Sequence, residues 1–299
     1  MSNKLAGIAL AVIGGDDREL VFIPELVKLG ALVKVVGFPP RPELNGAFII
    51  NNLAQALKDV DAVILPMPGT DAKGIVRAVY SQEQLILTEE LLSKLPEGTP
   101  IFVGVAKPIL KEMVSKLKLC LVEVAELDEI AILNSIPTAE GAIQIAMEEL
   151  PITIHGSTAL VLGFGRCGTT LARTLKSLGA KTLVAARKPM DLARCYESGY
   201  QPVKYSELPV YLSEAQIIFN TVPYLILNSS MIAKLNKDCL IIDIAAAPGG
   251  TDFSAAEKAG IKAILAPGLP GKVAPKTAGK ILADVYPELI LQYKNEQKR

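Results

Sequence analysis

The chain has 299 residues, of which 50% are hydrophobic and 21% are charged. This length suits two domains, and this composition can bury substantial cores, which excludes an intrinsically disordered protein. Lysine plus arginine and aspartate plus glutamate both total 31, so the overall charge gives no electrostatic basis for binding nucleic acid or an acidic membrane surface.

The first apolar stretch, 5–13, has the composition of a secretion signal but the context of a first strand. It is followed at once by Gly14-Gly15-Asp16-Asp17-Arg18, an acidic turn typical of the end of a strand in an α/β domain. No apolar stretch in the sequence approaches the ~20 residues of a membrane span. We therefore expect a cytoplasmic protein without membrane contact.

Strands and helices are predicted to alternate through the first half of the chain. The strands are predicted near 8–13, 32–37, 61–65, 101–104 and 119–124. Gly30 ends a helical stretch directly before a strand, and Gly179 and Gly260 repeat that pattern later in the chain. Such units predict parallel sheets with helices on both faces.

A connecting helix is predicted between the two halves. Pro137 is expected to block a helix that arrives from upstream, and Thr138 is expected to cap a new helix over 139–149. We accordingly assign residues 1–133 to an N-terminal Rossmann-like domain that holds the substrate, and residues 134–150 to a hinge helix.

The second half repeats the pattern of the first. Its strands are predicted near 158–162, 181–186, 215–220, 239–244 and 262–266. Residues 151–275 form the predicted dinucleotide-binding Rossmann domain, and a final helix, 276–296, is predicted to pack back on the N-terminal domain. The predicted fold class is α/β, with two doubly wound parallel-sheet (Rossmann-like) domains and an interdomain cleft.

A glycine-rich turn in the second half predicts a dinucleotide site. An apolar strand precedes Gly163-Phe164-Gly165-Arg166-Cys167-Gly168 and a helix follows it, which is the context that a dinucleotide fold requires. The first glycine makes the tight turn, the second lets the backbone approach a pyrophosphate, and the third lets the helix lie close to the strand. The amino terminus of the helix then faces the phosphate charge.

The end of the next strand favours NADP(H) over NAD(H). Enzymes that prefer NAD usually place an acidic residue there to bind the ribose 2′-hydroxyl, whereas this chain has Arg187-Lys188. A guanidinium binds a 2′-phosphate with paired, charge-assisted hydrogen bonds, and a carboxylate would repel it. A solvated basic loop is the alternative.

Cysteine and histidine are too sparse for a metal site. The four cysteines form no CxxC pair, and His155 is the only histidine. Because His155 precedes the strand that leads to Gly163, we expect it at the opposite end of that strand and not as a general base. Cys167 lies near a helix amino terminus, which can lower a thiol pKa, and a packing role is the alternative.

Four segments carry a resemblance to a known family. They are 134–141 (NSIPTAEG), 153–157 (TIHGS), 248–253 (PGGTDF) and 266–279 (APGLPGKVAPKTAG). With these segments, the chain resembles the A subunits of bacterial dipicolinate synthase from Ile13 almost to its carboxyl terminus. The resemblance implies NADP-dependent oxidation of a dihydrodipicolinate-level precursor to dipicolinate, in the mother cell of a sporulating bacterium. It also implies a partner, the flavoprotein-like B subunit of dipicolinate synthase.

Related dehydrogenases imply further coenzyme contacts beyond the carboxyl ends of the strands. In them, the ends of the fourth and fifth strands flank the nicotinamide ring and its ribose. The corresponding residues here are Asn220-Thr221-Val222-Pro223 and Ala245-Ala246. Gly268, after the last strand, completes the predicted coenzyme-binding residues.

Oxidation of a small dihydropyridine dicarboxylate removes one hydride and one proton. The site then requires cations for two carboxylates and a modest base. Arg18, Lys272 and Lys276 are the predicted cations, with helix capping, coenzyme phosphate or solvent as alternative partners. Glu140 and Lys272 are weak candidates for the base, and the sequence identifies no catalytic residue.

Polar residues at the predicted hinge are further candidates for contact with the substrate. Asn134, Ser135 and Thr138 are expected to donate or accept hydrogen bonds there, or alternatively to cap the helix.

Two other functions fit the same residues. One is a noncatalytic NADP-binding subunit that scaffolds or regulates the flavoprotein, which the lack of a clear acid or base keeps open. The other is a dehydrogenase of another small acid, related to the 2-hydroxyacid and alanine dehydrogenases. In each case we expect a homo-oligomer.

Overall fold

A computed structural model of the chain describes residues 3–296 and divides them into two units, each built around a six-stranded sheet. The first unit takes the chain up to Ala131 and again from Pro275, and the second takes Ile132–Ala274. These bounds place the predicted hinge helix, 134–150, inside the second unit.

The first unit is a doubly wound parallel sheet. Its strands in chain order are β1 (Ala9–Ile13), β2 (Leu32–Val36), β3 (Phe48–Ile49), β4 (Ala62–Ile64), β5 (Ile75–Val76), β6 (Leu85–Ile86), β7 (Pro100–Val103) and β8 (Cys120–Glu123). The sheet order is β3-β2-β1-β4-β7-β8, and β5 and β6 form a separate antiparallel pair. The topological switch point lies between β1 and β4, because the chain leaves β1 toward β2 and returns to β4 on the other side.

The central strand of this unit, β1, has apolar residues on both of its faces. Leu10 and Val12 belong to one buried cluster, whereas Ala11 and Ile13 belong to another. This alternation is the period of a strand that is covered on both faces. The helices that cover the sheet are α1 (Glu19–Lys28), α2 (Leu53–Ala56), α3 (Glu89–Leu92) and α4 (Pro108–Lys116), with 3₁₀ turns at Pro42–Leu44 and Val124–Glu126.

Helix α5 (Asp128–Glu149) is longer than the predicted connecting helix. It begins well before Pro137 and carries this proline inside it. Proline removes one hydrogen bond from a helix, but its ring holds φ near −65°, which a helix accepts. The Thr138 hydroxyl donates to the carbonyl of Asn134 at 2.7 Å within the helix. The predictions of a block at Pro137 and a cap at Thr138 were therefore wrong.

The second unit repeats the topology of the first. Its strands are β9 (Thr158–Leu162), β10 (Lys181–Ala186), β11 (Gln201–Lys204), β12 (Ile217–Asn220), β13 (Leu240–Asp243) and β14 (Lys262–Leu265). The parallel sheet has the order β11-β10-β9-β12-β13-β14, with its switch point between β9 and β12. Its helices are α6 (Arg166–Ser177), α7 (Pro189–Glu197), α8 (Leu208–Tyr211), α9 (Ser229–Ile232), α10 (Phe253–Ala259) and α11 (Leu269–Val273). The predicted α/β class with two doubly wound parallel sheets is confirmed.

Each sheet has six strands where five were predicted. The additional strands, β3 and β11, both lie at a sheet edge. Strand β3 has only 2 residues, and β11 has 4 and includes Pro202. An edge strand tolerates proline because its outward N–H needs no partner in the sheet. Neither strand has the long apolar run by which a buried parallel strand is recognised in a sequence.

The last helix, α12 (Pro275–Glu296), belongs to the first unit and packs on α1. The buried ring of Tyr286 meets Phe22 edge to face, with 5.2 Å between ring centroids. Gly279 permits this close approach, because a Cβ atom there would lie 2.7 Å from the carbonyl oxygen of Arg18. Neither α12 nor any other helix within residues 3–296 is long and apolar enough to cross a membrane.

Candidate dinucleotide-binding site

The glycine-rich turn lies at the carboxyl end of β9 and opens α6. Gly163 has a φ of 96°, a conformation that favours glycine, and Gly165 directly precedes the first turn of α6. A Cβ atom on Gly168 would overlap the carbonyl oxygen of Gly163, so glycine is required for the helix to lie this close to the strand. A Cβ atom on Gly165 would meet nothing within 4 Å. The backbone at Gly165 is therefore open to a phosphate group at the helix amino terminus.

The loop after β12 packs against this turn. The Thr221 hydroxyl donates to the carbonyl of Leu162 at 2.8 Å. A Cβ atom on Gly163 would lie 2.5 Å from Thr221 Oγ1 and 2.8 Å from Val222 Cγ2. Three predicted coenzyme residues, Gly163, Thr221 and Val222, thus lie together. They border the switch point between β9 and β12, where open parallel sheets bind their ligands.

Two cations follow β10. Arg187 and Lys188 are both exposed, and the first acidic residue after the strand is Asp191, in the first turn of α7. Burial raises the pKa of Tyr205, and the positive charge of Arg187 opposes that rise. The end of β10 thus offers a guanidinium and an ammonium where an NAD-type site has a carboxylate.

A buried carboxylate that the sequence pattern did not reveal ties together the ends of β12 and β13. Asp243 ends β13, is fully buried and lies in register opposite Asn220. It accepts hydrogen bonds from the Asn220 amide at 2.9 Å, the Thr251 hydroxyl at 2.7 Å, and the backbone N–H groups of Gly250 at 2.9 Å and Ala245 at 3.1 Å. An acidic residue at the end of an apolar strand was the available signal.

Asn220 belongs to this framework and corrects a predicted ligand contact. Its side chain is fully buried, and its amide nitrogen also donates to the Val222 carbonyl at 3.0 Å. Its amide oxygen accepts from the Val222 N–H at 3.2 Å. Because both polar atoms are used within the protein, Asn220 supports the loop and has no free amide atom for a coenzyme.

The remaining predicted residues of these loops differ in exposure. Ala245 is buried, whereas Pro223 and Ala246 are exposed. Gly268 is exposed, with a φ of 68°, and directly precedes α11. Contact of these residues with a coenzyme stays a prediction.

The residues inside the glycine-rich turn are also placed. Phe164 is half-buried, and its ring lies 6.0 Å from the ring of Tyr200. Burial raises the pKa of the Cys167 thiol, and the charge of Arg166 opposes this rise without reversing it. Cys167 is half-buried, and the upward shift of its pKa argues against a reactive, low-pKa thiol.

The two candidates for a base lie at exposed positions. Glu140 lies on α5 and lines a surface groove with Thr174 and Leu178, toward the carboxyl end of α6. At ~1.5 Å per helical residue, Thr174 is about 12 Å along the helix from its first turn at the glycines. Glu140 therefore lies away from the glycine-rich turn, and its role as the base stays a prediction. Lys272 is exposed on α11.

The three polar candidates from the predicted hinge all lie within α5. Ser135 is fully buried, donates to the Ile132 carbonyl at 2.6 Å, and lies 2.6 Å from the Thr170 hydroxyl on α6. Its hydroxyl joins two helices, which corrects the predicted contact with substrate. Asn134 Oδ1 is buried and has no hydrogen-bond partner within residues 3–296, so a contact of Asn134 with substrate stays a prediction.

In the first unit, Arg18 belongs to a buried charged cluster at the end of β1. Its Nε and Nη2 atoms donate to the two carboxylate oxygens of Asp16, at 2.9 and 2.7 Å. Glu19 is 1% exposed and accepts a hydrogen bond from the Asp16 N–H at 2.6 Å. Burial raises the pKa of Glu19 to about 7. Arg18 is thus paired within the protein, whereas Lys276, the other predicted cation of this unit, is exposed on α12.

His155 lies at the amino end of β9, away from the glycine-rich turn. A Cβ atom on Gly179 would overlap its ring, so His155 packs beside the turn that precedes β10. The whole of β9 separates it from Gly163, as predicted. Within residues 3–296, no group of three or more His, Cys, Asp or Glu side chains is arranged to hold a metal ion.

Comparison with known proteins assigns both units. Residues 9–125 match the N-terminal domain family of the dipicolinate synthase A subunit, and residues 137–249 match the D-isomer specific 2-hydroxyacid dehydrogenase NAD binding domain. The chain is 43% identical over 294 residues to the dipicolinate synthase A subunit of Bacillus subtilis (strain 168), covering 98% of this chain and 99% of the relative. The chain belongs to the family of dipicolinate synthase A subunits. The predicted resemblance is confirmed.

Two crystal structures of this family share the fold. The A subunit of dipicolinate synthase from Bacillus halodurans is 42% identical, with a TM-score of 0.93 over 96% of this chain and 98% of that chain. The A chain of dipicolinate synthase from Bacillus subtilis is 43% identical, with a TM-score of 0.92 over 98% of both chains.

The residues present fit a nicotinamide dinucleotide. The open backbone at Gly165 and the amino terminus of α6 suit a pyrophosphate, and the neighbouring loop after β12 lies at the switch point of the sheet. The segment matched to an NAD binding domain, 137–249, contains all of these elements. The second unit is therefore a nucleotide-binding domain of the oxidoreductase type.

Proposed function

We propose that the chain is the oxidoreductase subunit of a dipicolinate synthase, and that it oxidises a dihydrodipicolinate-level precursor with NADP⁺. The observation that carries this proposal is the 43% identity to a dipicolinate synthase A subunit over 98% of the chain. The matched length includes the glycine-rich turn and the two cations after β10. The same chain thus resembles a dipicolinate synthase subunit over nearly its whole length and contains a coenzyme-binding domain.

The chemistry of the step requires little from the protein beyond binding and orientation. A dihydropyridine dicarboxylate becomes aromatic when one hydride and one proton leave the ring. When bound, the oxidised nicotinamide supplies the hydride acceptor. The gain of aromaticity favours the products, so a modest base suffices.

Different residues of the second unit bind different parts of the coenzyme. Gly165 and the amino terminus of α6 bind the pyrophosphate, and Arg187 and Lys188 bind the 2′-phosphate. The loops after β12 and β13 line the position of the nicotinamide. Support comes from the exposure of both cations and from the contact of Thr221 with the glycine-rich turn.

The carboxylates of the substrate are proposed to bind exposed cations. Lys272 and Lys276 are exposed cations suited to carboxylates, and Asn134 has an acceptor without a partner within residues 3–296. Arg18 can contribute only if its pair with Asp16 opens. We further propose a homo-oligomer that works with a flavoprotein-like B subunit in the cytoplasm of the mother cell.

A noncatalytic coenzyme-binding role is the second candidate function. It is favoured by the placement of Glu140 beside the carboxyl end of α6, away from the coenzyme turn. In that case the flavoprotein-like partner would carry out the oxidation, and this chain would bind NADP(H) as a regulator or scaffold.

A turnover assay separates these functions. The purified chain is mixed with NADP⁺ and freshly generated precursor, with and without the flavoprotein-like partner, and NADPH absorbance and dipicolinate are followed together under exclusion of air. Stoichiometric NADPH and dipicolinate from the chain alone supports the proposal, and formation only with both proteins assigns the activity to the complex. Dipicolinate without NADPH, formed with the partner at up to one equivalent per flavin, contradicts the proposal and supports the second candidate, because the flavin is then the hydride acceptor. The Gly165→Val variant is the control that lacks the coenzyme site.

A further inference from the structure

The four hydrogen bonds of Asp243 share a chemical feature: each partner is a donor. Oδ1 accepts from the Asn220 amide and the Ala245 N–H, and Oδ2 accepts from the Gly250 N–H and the Thr251 hydroxyl. A carboxylate is the side chain that offers acceptors on both oxygens. An asparagine in its place would turn an NH₂ group toward one pair of donors and leave buried polar groups unpaired.

These bonds reach from the end of β13 to the glycine-rich turn. Asn220, held by Asp243, bonds to both the N–H and the carbonyl of Val222. The side chain of Val222 in turn lies close to Gly163, since a Cβ atom on that glycine would lie 2.8 Å from Val222 Cγ2. On the other side, Asp243 holds Ala245, Gly250 and the Thr251 hydroxyl. One buried side chain thus sets both loops beyond β12 and β13.

These loops lie on one half of the coenzyme site. A doubly wound sheet binds a dinucleotide across its switch point, with one mononucleotide half on each side. Arg187, at the end of β10, marks the side of the adenosine half. The ends of β12 and β13 lie on the other side of β9. They are therefore on the side where the nicotinamide half binds.

We propose that Asp243 is a positioning residue that sets the nicotinamide half of the coenzyme without contributing to the adenosine half. The inference rests on the proposed function, because it requires NADP(H) to be the coenzyme. Asp243 is fully buried and acts through Asn220, Val222 and the 245–251 loop, and it does not itself touch the coenzyme.

The test compares two ligands that differ only in the nicotinamide half. Calorimetry measures the affinity of the full chain for NADPH and for adenosine 2′,5′-bisphosphate, which keeps the adenosine half with its 2′-phosphate and lacks the whole nicotinamide mononucleotide half. Asp243→Asn should lower the affinity for NADPH about tenfold, the scale expected for unpaired buried donors, and leave the affinity for the fragment unchanged. Thr251→Val should act in the same direction, and Thr251→Ser, which keeps the hydroxyl, should restore NADPH binding.

Each outcome decides a different claim. An equal loss for both ligands in Asp243→Asn, or no loss for either, overturns the positioning role. If Asp243→Asn fails to fold, the pair Thr251→Val and Thr251→Ser gives the same comparison, and equal affinities in that pair overturn the role. A wild-type chain that binds neither ligand overturns the proposed coenzyme instead, which keeps the two failures distinct.

Discussion

The buried carboxyl group of Glu19 makes the stability of the first unit depend on pH. Its side chain is 1% exposed, lies against Gly15 and accepts a hydrogen bond from the Asp16 N–H. Burial raises its pKa from 4.5 to about 7, and the nearby charge of Asp16 adds to the rise while Arg18 opposes it. The unfolded chain therefore loses this proton at a lower pH than the folded chain.

The difference between 4.5 and about 7 corresponds to about 3 kcal/mol of unfolding free energy. Below 4.5 both states hold the proton, so the group costs nothing. As pH rises to about 7, only the folded state keeps the proton, and stability falls by up to this amount. Above about 7 the loss is complete and the curve levels. Two neighbouring groups titrate outside this window. Burial acts to raise the pKa of Asp16, but its hydrogen bonds and ion pair with Arg18 outweigh burial and lower that pKa from 3.8. Burial raises the pKa of Tyr286 from 10.0.

Glu19→Gln tests this reasoning, because glutamine keeps an acceptor for the Asp16 N–H without a titrating group. Native-state hydrogen exchange of β1 peptides, measured between about pH 5 and pH 8 and corrected for intrinsic rates, gives the unfolding free energy of this unit. The variant should lose the downward slope and exceed the wild type by up to about 3 kcal/mol at the upper end. Glu25→Gln, at a half-buried position on the same helix where the carboxylate pairs with Lys28, should keep the wild-type slope. Parallel slopes for wild type and Glu19→Gln would show that Glu19 is not the source of the pH dependence.

Two further substitutions test the coenzyme site, and a third tests whether His155 takes part in the reaction. Arg187→Asp should weaken NADP⁺ binding by about tenfold or more, since a charged hydrogen-bond partner of the 2′-phosphate is lost, and should leave or improve NAD⁺ binding. Calorimetry that shows an equal loss of affinity for both coenzymes, or no change, contradicts the assignment of Arg187 to the 2′-phosphate. Gly165→Val should abolish binding of either dinucleotide because the side chain fills the space beside the helix amino terminus, and retained binding would reject the glycine-rich turn as the site. His155→Asn should leave kcat unchanged, and a severe loss in a folded variant that still binds coenzyme would show that its position at the far end of β9 does not exclude it from the reaction.

The parts of the fold that followed from the sequence are those encoded locally. The central strands are unbroken apolar runs, and the glycine-rich turn joins a strand to a helix within a few residues. The missed strands β3 and β11 are short and lie at edges, where burial on both faces is not required. The start of helix α5 was predicted too late, because proline usually breaks a helix. This helix carries Pro137 in its interior and begins at Asp128.

The parts of the site that did not follow from the sequence depend on distant partners. Asp243 bonds to Asn220 on the neighbouring strand β12 and to Thr251 in the loop after β13. These partners are distant in the sequence, so no local pattern predicts the contacts. Ser135 is polar and near Pro137, which made it a candidate, but its partner on α6 consumes the hydroxyl. Arg18 resembles a free cation in the sequence, and its bidentate pair with Asp16 shows that the charge is used within the loop.

The proposed transfer of hydride from the precursor to NADP⁺ on this chain can be followed with an isotope label. The most direct measurement uses precursor carrying deuterium at the ring carbon that loses the hydride, incubated with the chain, its flavoprotein-like partner and NADP⁺ under exclusion of air. Mass spectrometry then follows the label. Deuterium should appear in the NADPH formed, in equal amount to the dipicolinate. Dipicolinate formed with unlabelled NADPH, or with none, would contradict it and assign the redox step to another acceptor.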